Sequence, residues 1–318
     1  MVGESGRMEC MEDTITFSLF ADLHWREGDW TWCEKRLDAI FERAIRERAE
    51  FIIHCGDFCH DVVAARGMLA KYAAAPLPAY HVLGNHEFEC SDTLEEVVSA
   101  MGMPRNYYSF DVRGFRFVAL DNNYHHGPDG NLKHYADESA WAKCHQDEVT
   151  LPPEQVDFLL NAVATAQGPV CVFTHASMLR PPKAGGVSNG NETIIAVNKA
   201  RAGKPVMFFF GHTHRDTLTV RDGMAFMEVN SASSDWLNQE HHAYPPELMA
   251  KCHVSDHTII NAEPVHAIVR LGMDGTVDIE GMKGAPFMGI TPEIMGCDTI
   301  GRHGFPYTYN VLSAKFKL

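Results

Sequence analysis

Five short apolar runs in this chain each end in polar residues of the kinds that bind metals, and this pattern limits the possible folds more than any other feature. Ile15–Ala21 is followed by Asp22-Leu23-His24, and Phe51–His54 by Gly56-Asp57. Ala79–Leu83 leads into Gly84-Asn85-His86-Glu87, Val170–Thr174 into His175, and Val206–Phe210 into Gly211-His212-Thr213-His214. Each run has the length and apolar character of a buried strand. In open α/β sheets, ligands bind beyond the carboxyl ends of the strands. The pattern therefore predicts oxygen and nitrogen ligands gathered on one rim, a rim suited to a pair of metal ions.

The segments between these runs read as helices and hairpins. Thr31 to Arg48 has an apolar stripe at Leu37, Ile40, Phe41, Ala44 and Ile45, with Thr31 and Glu34 spaced as a capping box. Further helices are expected over Val62–Ala74, from an Asp92-Thr93 cap through Met101, from Pro152-Pro153 to Gln167, and from an Asn191 cap to near Gly203. Tyr107–Val112 and Phe115–Leu120 turn at Arg113-Gly114. Thr217–Val220 and Met224–Val229 turn at Asp222-Gly223, and His266–Leu271 and Thr276–Ile279 at Asp274-Gly275. Hairpins together with βα crossovers imply mixed sheets. Tyr124–Thr150 and Ser231–Pro264 are long, polar connections of the kind that carry function. One domain over 14–283 is expected, with a Gly- and Pro-rich tail, 284–318, wrapping it as irregular structure.

Composition narrows the partners. The chain has 318 residues, 45% of them hydrophobic, with 27 Lys and Arg against 42 Asp and Glu. A formal net charge of −15 argues against nucleic acid and against anionic membrane surfaces, both of which are bound through basic clusters. A small phosphorylated molecule stays open, because cations in the site can supply local positive charge. Met1–Asp13 lacks the apolar core of a secretory leader, and no run reaches the ~18 apolar residues of a membrane span. The nine cysteines are scattered, without a C-x-x-C pair, as expected of reduced thiols in the cytoplasm.

Spacing supports the chemistry. Asp22 and His24, like His212 and His214, are two residues apart, which in extended backbone puts both side chains on one side. Asp57 has two carboxylate oxygens and can bridge two cations. Asn85 offers an amide oxygen and His175 an imidazole nitrogen. Such mixed sites suit Zn, Fe or Mn without thiolates. Gly-Asp after a strand is also an ordinary turn, but a turn has no need of two histidines beside a buried strand.

The order D-x-H, G-D, G-N-H-E, H, G-H-x-H resembles that of the calcineurin-like metallophosphoesterases. The resemblance runs from about Thr14 to Ser233 and takes in Tyr108–Asp121 and Leu151–Val163. It implies a four-layer αββα sandwich of two mixed sheets and a hydrolase holding two divalent or trivalent ions, with Mn, Fe and Zn the candidates. By resemblance, Asp22, His24, Asp57 and His214 hold the first ion, and Asp57, Asn85, His175 and His212 the second. His86 faces the substrate, where it can protonate the leaving oxygen.

Some positions depart from known branches. Protein serine/threonine phosphatases continue as G-D-x-x-D-R, whereas here Phe58-Cys59-His60-Asp61 follows Asp57, which argues against a phosphoprotein substrate. Purple acid phosphatases place a tyrosine ligand where His60 stands, so His60 could approach the first ion, pair with substrate, or simply open a helix facing solvent. Arg180 could hold a substrate phosphate. Trp25, Tyr124, His125 and His126 could line a pocket. Cys55 and Cys59 beside Asp57, and Cys144-His145, are conceivable zinc ligands, although buried inert thiols are the ordinary outcome. The leading expectation is hydrolysis of a phosphodiester or nucleotide pyrophosphate in a small soluble molecule. A phosphomonoesterase, a nuclease working with a partner, and a non-catalytic scaffold are the alternatives; the last usually loses ligands, and all are present here.

Overall fold

A computed structural model of the chain describes residues 13–28, 31–90, 93–137, 148–252, 254–301 and 303–318. The first sheet comprises β1 (Thr14–Phe20), β2 (Phe51–Cys55), β3 (Ala79–Val82), β10 (Ala267–Gly272), β11 (Thr276–Glu280) and β12 (Ala314–Lys317). The second comprises β4 (Tyr108–Val112), β5 (Phe115–Ala119), β6 (Val170–Phe173), β7 (Val206–Phe210), β8 (Thr217–Arg221) and β9 (Met224–Glu228). The spatial orders are β12-β11-β10-β1-β2-β3 and β8-β9-β7-β6-β5-β4. Both sheets are mixed. β1, β2 and β3 run parallel while β10 lies antiparallel to β1; β5, β6, β7 and β9 run parallel between two antiparallel edge hairpins.

The side-chain alternation of the central strands shows why two sheets stack. In β6 and β7, Cys171, Phe173, Met207 and Phe209 belong to the core between the sheets, whereas Val170, Val172, Phe208 and Phe210 belong to the core beneath the helices. Strands buried on both faces read as continuous apolar runs rather than alternating ones. Phe17 of β1 reaches across to Phe117, Phe173 and Phe209 with ring centroids 5.7, 6.1 and 5.7 Å away, all edge-on. Helices cover the outer faces: α1 (Cys33–Arg46) and α2 (Arg66–Ala73) on the first sheet, α4 (Pro153–Thr165) and α5 (Gly190–Ala200) on the second, with α3 (Leu94–Ala100) after β3. Two short helices, α6 (Pro246–Met249) and α7 (Pro292–Met295), lie in the later connections. This is the expected four-layer α/β sandwich. No helix among the described residues is long and apolar enough to cross a membrane.

Several local expectations change. The Thr31–Glu34 capping box does not form: Trp32 caps α1 in the left-handed region without a side-chain bond, and the Thr31 hydroxyl meets Cys33 Sγ at 3.1 Å. The buried Arg36 Nε donates to Thr31 O at 2.6 Å, so the Thr31 backbone is tied to α1 through its carbonyl. Thr93 does cap α3, accepting from Glu96 N at 3.1 Å; Asp92 lies outside the described residues. α2 begins at Arg66 rather than Val62, because the Asp61 carboxylate accepts from Val63 N and Ala64 N and makes a turn first. The cap of α5 is Asn189, not Asn191, and its side chain is spent on the backbone N and O of Leu151. α4 stops at Thr165 and α5 at Ala200, both short of the expected ends. The tail is not wholly irregular, since β12 adds an edge strand to β11. Within the long connections, residues 124–126 pair with 132–134 and 234–236 with 258–260.

Candidate metal centre

The expected ligands do converge, though not through a pleated backbone. Asp22, His24, Asp57, His212 and His214 all have φ between 50° and 67°. Left-handed backbone at a non-glycine residue is uncommon and costly, and residues held there cluster at functional sites. The strands end before these residues, and tight turns swing the side chains inward. Backbone bonds tie the turns together: Asp22 N to Gly56 O (3.0 Å), His24 N to Asp57 O (2.9 Å) and Gly211 N to His175 O (2.9 Å). The glycines are needed for closeness. A Cβ on Gly84 would strike the Asp57 carboxylate, one on Gly56 the His175 ring, and one on Gly211 would come within 2.6 Å of Asp22 Oδ2.

Two groups of side chains result. Atoms of Asp22, His24 and His214 lie within 4.8 Å of one another, as do those of Asp57, His175 and His212. Asp57 stands between the groups, with Oδ2 2.9 Å from His175 Nε2 and 3.9 Å from His24 Nε2. The Asn85 amide oxygen is buried without a hydrogen-bond partner. It lines the same cavity as Asp57, His86, His212 and His214.

Hydrogen bonding assigns the imidazole tautomers. His175 Nδ1 donates to Cys55 O at 2.9 Å, which leaves its Nε2 with a lone pair. His214 Nδ1 faces Asp235 Oδ1 at 3.3 Å, so its Nε2 is likewise turned inward. That Nε2 sits 3.0 Å from His24 Nε2 and 3.3 Å from Asp22 Oδ1. So many acceptors facing one another are satisfied only by a cation or by protons. Histidine ligands held through their outer nitrogen by a carboxylate or carbonyl are the usual arrangement of metal sites. The donor set therefore fits a pair of ions.

The electrostatics agree. Burial opposes the charged form of His214, but Asp22 and Asp235 outweigh it and raise the imidazole to about 10. Burial likewise opposes charge on His175, and Asp57 overcomes it, to about 9. For Asp57 the burial penalty is exceeded by His175, His86 and His24, which hold it well below the usual carboxylate range. His24 and His212 are pushed down, chiefly by burial.

Other candidates fall elsewhere. His60 is buried, so the solvent-facing alternative is overturned; its Nε2 lies 3.0 Å from His24 Nδ1. Arg180 is not among the residues lining the cavity beside the cluster: it makes a two-pronged ion pair with the buried Glu228 and stacks over Phe305 at 4.3 Å. Cys55 and Cys59 are fully buried, and burial pushes both thiols up, as for inert cysteines. Cys144 and His145 lie outside the described residues. Trp25, Tyr124, His125 and His126 are not among the cavity's lining residues. Trp25 bridges to Cys59, Tyr124 OH accepts from Asn106, and the His125 ring packs beside Tyr135.

Four further residues support the candidate ligands. Glu87 is buried and its carboxylate accepts from the N–H groups of Gly84 (2.6 Å), Asp57 (3.2 Å) and Cys59 (3.2 Å), clamping the two glycine turns together. Asn122 Oδ1 accepts from Ala176 N at 3.1 Å and fixes the segment after His175. Asp235 backs His214, and Trp236 stacks against His86 with centroids 5.9 Å apart. Glu87 stood in the G-N-H-E motif without a role, and Asn122 had a readable signal, since it too follows an apolar strand; Asp235 and Trp236 had none beyond residue type.

The cavity above these residues measures about 660 Å³ and is also lined by Arg26, Lys183, His303 and Glu148. A dimetal phosphatase structure from Danio rerio superposes with a TM-score of 0.57 at 16% identity, covering 86% of this chain and 98% of that one. The Plasmodium structure described as GAP50, the anchor in the inner membrane complex, gives 0.51 at 13% identity over 85% and 84% of the two chains. At these identities the likeness shows the fold alone. A search of curated proteins finds no match. The calcineurin-like phosphoesterase family profile matches residues 15–216, nearly two thirds of the sequence and every candidate ligand position discussed above. The chain is therefore a member of the calcineurin-like phosphoesterase family.

Proposed function

We propose that this metal-dependent phosphoester hydrolase acts on a phosphodiester or nucleotide pyrophosphate bond in a small soluble molecule. The observation that carries the reading is the cavity. About 660 Å³ over the ligand cluster is far more than one phosphoryl group needs. Its walls carry the Trp236 indole, the Arg26 guanidinium and Lys183, groups suited to an organic moiety on each side of a phosphorus atom.

In this reading Asp22, His24, Asp57 and His214 hold one cation and Asp57, Asn85, His175 and His212 the other, with Asp57 shared. Mn, Fe and Zn all suit mixed carboxylate, amide and imidazole donors. When bound, two such ions supply the Lewis acidity that activates water near neutral pH and takes up charge from phosphoryl oxygens. The residues of the chain do the rest. His86 N donates to Asp57 Oδ1 at 2.8 Å, fixing both groups. The His86 ring lines the cavity, where its imidazolium form is placed to give the Nε2 proton to the departing oxygen. General acid help of this kind is worth ~10²–10⁴-fold. Asn122 and the Gly185-Gly186 turn also line the cavity.

The test is hydrolysis of bis-p-nitrophenyl phosphate against p-nitrophenyl phosphate, with the protein loaded in turn with Mn and Zn. Faster turnover of the diester is expected. Faster turnover of the monoester would transfer the reading to a phosphomonoesterase, and inertness toward both with every divalent metal would overturn it.

A further inference from the structure

Glu89 lies just past the Gly84–Glu87 motif and is not a candidate ligand. A single oxygen of its carboxylate, Oε2, nevertheless receives three groups. His60 Nδ1 bonds to it directly, His86 Nδ1 lies 3.1 Å away, and Arg26 Nη2 3.5 Å away. The two imidazoles lean together with centroids 4.2 Å apart. Beyond His60 the chain of bonds continues, because His60 Nε2 is 3.0 Å from His24 Nδ1.

A carboxylate only accepts, so both Nδ1 atoms facing Glu89 carry protons. A neutral His60 then has a lone pair on Nε2, and His24 Nδ1 donates into it. His24 is left with its lone pair on Nε2, the atom that faces Asp22 and His214. The same carboxylate turns His86 Nε2 inward, 3.9 Å from Asp57 Oδ2. The arrangement joins two tasks usually assigned to separate residues.

We propose that Glu89 is a positioning residue that sets two imidazoles at once: His24, through His60, as a metal ligand, and His86, directly, as the group facing the leaving oxygen. The proposal rests on the two-cation reading above. It also accounts for the closeness of His24, His60 and His86, whose nitrogens lie within 4.8 Å of one another: they form a hydrogen-bonded chain and not a third cation site.

Outer partners of ligating histidines typically contribute ~10–100-fold in metal affinity. The experiment titrates the chelator-stripped full chain with MnCl2 by calorimetry. It then measures kcat and KM at saturating Mn on two diesters, one losing p-nitrophenolate and one losing an alkoxide. Wild type, Glu89→Ala, Glu89→Gln, His60→Ala and His86→Ala are compared, each checked by its thermal melt. Two ions per wild-type chain are expected. Glu89→Ala and His60→Ala should weaken one of them ~10–100-fold, whereas His86→Ala should not. Glu89→Ala and His86→Ala should lower kcat for the alkoxide ester more than for the nitrophenyl ester, with KM little moved, whereas His60→Ala should preserve the ratio between the two esters. The isosteric Glu89→Gln, which keeps one acceptor, should fall between, and it decides the matter if Glu89→Ala does not fold. Metal affinity and ester ratio both at wild-type values in the Glu89 variants would overturn the proposal, as would a change in only one of them, or three ions per wild-type chain. A wild type that binds no ions would instead defeat the two-cation reading itself.

Discussion

Asp22, His24, Asp57, His212 and His214 are held in left-handed backbone, and two imidazole nitrogens among them face each other at 3.0 Å. Such local strain persists only where the surroundings impose it; here the Gly56, Asp57 and Phe58 carbonyls, bonded to Asp22, His24 and Trp25, do so. In the metal-free protein, protons take the place of cations. His175 and His214 titrate near 6.5 in an unfolded chain but are raised to about 9 and about 10 when folded. A raised folded value favours the folded state fully below pH ~6.5, and this contribution disappears as pH climbs through 9 to 10. Chelator-treated protein should therefore show a falling melting temperature from pH 7 to 10, while Mn-loaded protein falls less across the same range. Scanning fluorimetry in matched buffers checks this, and parallel curves would contradict it. His86→Ala should cut kcat ~10²-fold or more on alkoxide-losing esters and much less on nitrophenyl esters, read by steady-state kinetics.

At the scale of elements, the centre depends on two glycine turns clasped by one carboxylate. Gly84 leaves no room, since any side chain there meets Asp57. Gly84→Ala should destabilise the protein by ~1–3 kcal/mol through overpacking and lose hydrolysis, as measured by urea denaturation and by assay of the folded variant. What was legible in the sequence follows the same logic. The strands of the site could be read because each is a short, largely apolar run, most of them buried on both faces, and their carboxyl ends mark the rim whatever the details of packing. Helix starts were less legible, because other partners claim the capping groups: the Thr31 hydroxyl meets Cys33 Sγ, and the Asn189 side chain is taken by the Leu151 backbone. The D-x-H side chains do converge, but through left-handed turns and not along the pleat that their spacing suggests. Glu89, Asp235 and Trp236 stayed hidden because their roles exist only once distant segments meet.

Across the whole molecule, the family match ends at residue 216, yet the fold continues well past it. β10 and β11 complete the sheet that carries Asp22 and Asp57, and the tail is laced to the rim. Arg215 Nη1 donates to Pro306 O (3.1 Å), Asn230 Nδ2 to Thr308 O (2.7 Å), Tyr307 OH to Trp236 O (3.0 Å) and Leu312 N to Asp216 Oδ1 (2.7 Å). We propose that residues 284–318 belong to the same folding unit as 14–283. Truncation after residue 283 should yield a chain that melts at a lower temperature and takes up less metal, and a truncated chain equal to wild type in both would refute this. The acidic balance of −15 predicts no retention on heparin or single-stranded DNA columns at physiological salt. Cations that bind only the folded state should add ~2.7 kcal/mol of stability at a hundred times their dissociation constant.

The most direct test of the centre is anomalous diffraction from crystals of the Mn-loaded protein, with Asp57→Ala grown alongside. Two peaks are predicted, one on each side of the Asp57 carboxylate, ringed by Asp22, His24 and His214 on one side and by Asn85, His175 and His212 on the other, with at least one peak lost in Asp57→Ala. A single peak, no peak, or two peaks that persist at full height without Asp57 would contradict the account.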